Sequence, residues 1–67
     1  MMTVVMSKKS KAERFAFENV KHFHVDECKN YNQELNLGKK GQVFVLFTKD
    51  DVLFFPCNQY SLLKIEA

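Results

Sequence analysis

The chain has 67 residues, enough for one domain, and its 46% apolar and 27% charged content excludes a disordered polymer. A net charge of +2, from ten basic and eight acidic residues, lacks the basic excess of a dedicated nucleic-acid domain. No stretch approaches the ~20 apolar residues that span a bilayer, and two cysteines are too few for the disulfide framework of a small secreted domain.

The opening MMTVVMSKKS has an apolar run too short for a signal-peptide core, and its lysines follow that run instead of preceding it. The expectation is a cytoplasmic protein with Cys28 and Cys57 as free thiols and no membrane partner. Residues 1–9 read as a flexible or weakly ordered N-terminus, with Met1, Met2 and Met6 as three alternative starts, ahead of a single domain over 10–67. Thr3, Val4 and Val5 favour extended backbone, so a first strand is the other reading. The SKKSK run at 7–11 reads as solvated charge.

SKAERFAFENVKHFHVDE carries two periodicities. Ser10 followed by Glu13 fits a capping box, and Ala12, Phe15, Ala16, Val20 and Phe23 fall within an arc of roughly 140° on a helix. VKHFHV at 20–25 alternates and is rich in strand formers. These patterns predict a helix over about 11–18, a break near Asn19 and a strand over about 20–26. A fully extended segment from Phe15 onward is the rival. From Glu27 to Lys40 the periodicity is lost, and ECKNYNQELNLGKKG has the composition of a loop.

GQVFVLFTKDDVLFFP, residues 41–56, predicts a hairpin with its turn at Thr48–Asp51. Pro56 has no amide hydrogen, so it ends the second strand or lies on a sheet edge. CNQY reads as a tight turn, and SLLKIEA as a last strand with Leu63 and Ile65 on one face; a helix over 59–65 is the alternative. The fold class expected is α+β and β-rich: one short N-terminal helix and a mostly antiparallel sheet of three to five strands built around the hairpin 42–56. An all-β small barrel is the alternative.

The hairpin raises the functional question. Both of its faces are apolar, whereas a sheet with one wet face alternates apolar with polar. A short helix covers part of one face only, and soluble monomers rarely leave large contiguous apolar patches open. Phe44, Leu46, Leu53 and Phe55 are therefore the candidate partner-binding residues, with Val43, Phe47 and Phe54 as the opposite set. The partner expected is another protein or a second copy of the chain, giving a homodimer.

Other chemistry is sparser. On a strand, His22, His24 and Asp26 project from one face, and two imidazoles with Cys28 or Cys57 supply a zinc-type donor set. The plainer reading is two histidines on a wet face. On a helix the two histidines diverge by about 200° and the set dissolves. No catalytic residues are assigned, and no cofactor is implied. Asp50 and Asp51 sit in a solvated turn, a poor place to shift a pKa, and the GKKG at 38–41 is no phosphate loop. The expectation is a protein that is not an enzyme. Phe44, Phe54 and Tyr60 with Lys39, Lys40, Lys49 and Lys64 are the parts of a single-stranded nucleic-acid surface, a less favoured partner class. The Lys-, Asn- and Phe-rich composition resembles that of small phage or bacterial orphan proteins, which implies a chain that binds and modulates a host protein; no motif carries that likeness.

Overall fold

Side chains that alternate between two environments need two layers to receive them, and two layers are present. The structure, a computed structural model, describes residues 1–11, 13–31 and 41–67. Among these, six strands run in the order β1 (Met2–Lys8), β2 (Arg14–Val20), β3 (His22–Glu27), β4 (Gln42–Phe47), β5 (Val52–Pro56) and β6 (Tyr60–Glu66), with a 3-10 turn at Cys28–Asn30. They form two antiparallel three-stranded sheets, β2-β1-β6 and β3-β4-β5. The expected small β-rich fold is present.

The helix expected over 11–18 is not: Arg14–Val20 is a strand, and no α-helix occurs among the described residues. The helical stripe drew on Ala12 and Ala16, which bury little apolar area. Extended, the same segment puts Phe15 opposite Met6 and Phe17 opposite Val4, while Arg14 and Ala16 face outward with Ser7 and Val5. Period two therefore wins, because it places both rings on one inner face.

Residues 1–9, expected to be weakly ordered, supply β1, the central strand of its sheet. Val4 and Met6 are fully buried there, and with Val20 and Leu46 they form the main core. Half-buried Phe23, Phe44, Leu53 and Phe55 from the other sheet pack against it. The inner face of β4 and β5 thus meets the inner face of β1 and β2.

The break near Asn19 is present, but it separates two strands instead of a helix and a strand. Asn19 has φ 59°, in the left-handed region that asparagine tolerates better than most residues. Only Lys21 stands between β2 and β3, and its amide donates to the Phe47 carbonyl at 2.7 Å. The chain so passes from one sheet directly into the other. A second corner lies at Cys57–Gln59, where the Gln59 amide donates to the Pro56 carbonyl at 3.0 Å.

The hairpin is where it was expected. The Thr48 amide donates to the Asp51 carbonyl at 2.9 Å, and the Asp51 amide donates to the Thr48 hydroxyl at 3.0 Å. The threonine hydroxyl replaces the backbone contact that an Asn-Gly turn would supply. Pro56 ends β5 on a sheet edge, where no ladder amide is needed. The expected loop begins with the 3-10 turn, and its remainder at 32–40 lies outside the described residues.

Candidate functional site

Residues paired across antiparallel strands share a face, so the register places each candidate. Phe44 pairs with Phe55 and Leu46 with Leu53, and all four point to the other sheet. Leu46 has no exposed surface; Phe44, Leu53 and Phe55 are half-buried. The opposite set is also covered from within the chain. Val43 and Val45 are fully buried in a second cluster with Cys28, against which Tyr31, Phe47 and Phe54 pack.

The histidines contribute to that cover. His22, His24 and Asp26 lie opposite Phe47, Val45 and Val43 on the outer face of β3, as the strand reading requires. The His24 ring stacks on Phe47 at 5.7 Å, and the His22 ring lies 5.6 Å from it. Tyr31 sits 5.0 Å from Phe54. Their rings add apolar body to the outer cluster, while polar atoms remain on the rim.

A polar network ties this rim together. The Tyr31 hydroxyl donates to Asp26 Oδ2 at 2.8 Å, and Asn30 Nδ2 donates to Asp26 Oδ1 at 2.9 Å. The Glu27 amide hydrogen bond, then those of Tyr31 and Asn30, hold the Asp26 carboxyl below its usual range. The same Asp26 bond raises the Tyr31 phenol. His24 Nε2 is 3.4 Å from the Tyr31 oxygen and 3.9 Å from Asp26 Oδ2, and its Nδ1 is enclosed without a partner among the described residues.

His22 and His24 lie 5.2 Å apart, ring centre to ring centre. Cys28 is buried in the outer cluster instead of turned toward them. Among the described residues no group of three or more His, Cys, Asp or Glu side chains is placed to hold a metal. Cys28 and Cys57 are free thiols, and burial raises the Cys57 thiol, helped by Cys28 and opposed by Lys9.

The expected aromatic and lysine set for nucleic acid is not gathered. Phe44 and Phe54 occupy opposite faces of one sheet, and Lys64 pairs with Glu66 at 3.3 Å on the outer face of the other. Lys39 and Lys40 lie outside the described residues. No helix among the described residues is long and apolar enough to cross a membrane.

The large apolar side chains that remain open among the described residues are Met1, Val25, Val52 on the hairpin itself, and a group of three on β6. Leu62, Leu63 and Ile65 on β6 are 36%, 44% and 44% exposed. Leu62 pairs with Met6 and Ile65 with Val4, so both face the core side. Leu63 is the extra residue of a bulge opposite the Val5–Met6 step. β6 bonds to β1 on one side only and is a sheet edge. Simple alternation pairs Leu63 with Ile65, and only the bulge replaces Leu63 by Leu62. Three large apolar residues in the last six were the available signal. No family model, curated protein or solved structure shows significant similarity to the chain.

Proposed function

We propose that the protein is a small non-enzymatic binding module that pairs a protein strand along the free edge of β6, with a second copy of the chain as the occupant. The supporting observation is the exposure of Leu62, Leu63 and Ile65 on an edge strand. An edge offers unpaired backbone groups as a template, and neighbouring apolar side chains add the favourable burial. Covering what remains exposed of each contributes roughly 1 kcal/mol.

The order of charges favours a second copy. Beyond the bulge, Lys64, Ile65 and Glu66 alternate, with the two charges on the outer face. In a two-fold antiparallel pair centred on Ile65, Lys64 of each chain lies opposite Glu66 of the other. The isoleucines meet at the axis, and like charges never face each other.

Sedimentation of the wild-type chain and of Ile65→Lys over a concentration series tests the reading. A dimer that becomes a folded monomer on substitution is the expected result. A wild-type chain that stays monomeric throughout refutes self-pairing.

A further inference from the structure

The near-neutral net charge conceals an uneven distribution. β1 ends at Lys8, and Lys9, Lys11 and Arg14 follow in the connection to β2 and its first residue. Glu13 is the one acid among the described residues of that stretch, and all four cations are exposed. The ion pairs of the described residues involve Lys29, Lys64 and His24, none of these four. The opposite end of the molecule carries Glu18, Asp50 and Asp51 beside Lys21 and Lys49.

Two adjoining shallow depressions lie at the basic end, with volumes of about 430 and 320 Å³. They share Lys8, Lys9 and Ser10, with Lys11 and Ser61 on one side and Gln59 on the other. Ammonium, hydroxyl and amide groups line them, and no carboxylate does so among the described residues. Such a lining supplies donors for an anion and repels none.

Aromatic rings adjoin these cations. Lys8 pairs with Tyr60, so the two share the inner face. Tyr60 belongs to a ring cluster with Phe15, Phe17 and Phe55, at centroid separations of 5.1 to 6.0 Å. All four rings are half-buried, so each keeps some surface open. Exposed cations beside a partly open ring are the parts that hold unpaired nucleotides: phosphates meet the lysines, and a base stacks on the ring.

We propose that this end binds single-stranded nucleic acid, with Lys8, Lys9, Lys11 and Arg14 contacting phosphates and Tyr60, the ring beside Lys8 at the end of the strand pair, stacking a base. The site is separate from the Lys64–Glu66 edge and does not depend on self-association.

Fluorescence anisotropy with a labelled oligothymidylate of about 16 nucleotides tests it. Four phosphate contacts predict about 50-fold weaker binding when salt rises from about 50 to about 200 mM. Replacing Lys8, Lys9 and Lys11 together by glutamine leaves one contact and cuts that loss to about threefold. These exposed positions leave the fold intact. Tyr60→Leu is expected to weaken binding about fivefold or more with the salt slope unchanged. If Tyr60→Leu does not fold, the lysine variant decides. Absence of saturable binding at the lower salt overturns the proposal, as does an identical salt slope in wild type and lysine variant. Inorganic tripolyphosphate competing as well as the oligonucleotide, phosphate for phosphate, reduces the site to an anion-binding depression and also overturns it.

Discussion

Replacing Leu46 by alanine distinguishes a hairpin that is core from a hairpin that is a docking surface. Leu46 lies on the central strand of its sheet, between Phe23 and Leu53, and packs into the cluster of Val4, Met6 and Val20. It has no exposed surface. Leu→Ala removes three carbon atoms, worth about 2 kcal/mol in transfer at ~0.8 kcal/mol each. Incomplete collapse of the surrounding side chains raises the total to about 3 kcal/mol. A domain of this length has on the order of 3 to 10 kcal/mol of stability, so the loss is a large fraction. The melting temperature should fall by about 12 to 24 °C. Circular dichroism during heating and in urea reads both quantities. Leu62→Ala and Ile65→Ala, compared at a concentration where the chain is monomeric, are the controls and should each cost only about 1 kcal/mol, because their side chains are already part wet. A Leu46→Ala protein within about 0.5 kcal/mol of wild type would refute a core role for the hairpin.

At the corner, Asn19→Val should cost about 1–2 kcal/mol, because a β-branched residue fits poorly at φ 59°; Asn19→Gly should stay within about 1 kcal/mol, and equal urea midpoints for the two would count against strain at this position. Asp26 has its pKa lowered from 3.8, so the stability it contributes is present above that pH and lost as pH falls through its folded value. Tyr31 has its pKa raised from 10.0, so its contribution is present below pH 10 and lost as pH rises through its folded value. Asp26→Asn should flatten both limbs of the stability profile, and a variant profile that matches wild type would show the network to be without weight. The Cys57 thiol, raised by burial, should alkylate at pH 8 more slowly than an unburied thiol. Both cysteines should take up reagent after unfolding without reductant, and labelling that needs reduction first would contradict free thiols.

The parts legible in the sequence were those where one local signal dominates. Residues 43–47 and 52–55 are strand formers on both sides of a polar turn, and only a hairpin accommodates them. Asn19 was legible as a break because the helical pattern before it gives way to the alternating VKHFHV after it. Arg14–Val20 was not, since adjacent small and aromatic residues satisfy both a helical arc and period two. The choice there is made by β1, whose Val4 and Met6 require Phe17 and Phe15 opposite them. That information is non-local. β1 itself looked weak for the same reason: seven residues next to a lysine run become a central strand only when both neighbours arrive. Apolar residues on both hairpin faces raised the question of what packs on each, and side chains of this chain pack on both. The sequence did not show that the cover is intramolecular, from the second sheet on one side and from Cys28, Tyr31 and the histidine rings on the other. The opening on β6 was hidden by a one-residue bulge, which alternation cannot anticipate.

The pairing of Thr3 with Glu66 also bears on the order of folding. The β4–β5 hairpin joins residues close in sequence, so its loop closes early at small entropic cost. The first sheet brings together residues more than sixty positions apart, and it is complete only when the last strand arrives. Until then Val4 and Met6 lack a neighbour on one side. Completing that sheet is the step of highest contact order, for which the slowest folding is expected. β6 is thus both the last strand to dock and an edge strand. A chain caught before that step also bares the edge of β1 and leaves β6 itself unpaired, which ties its choice between monomer and assembly to the rate at which β6 docks.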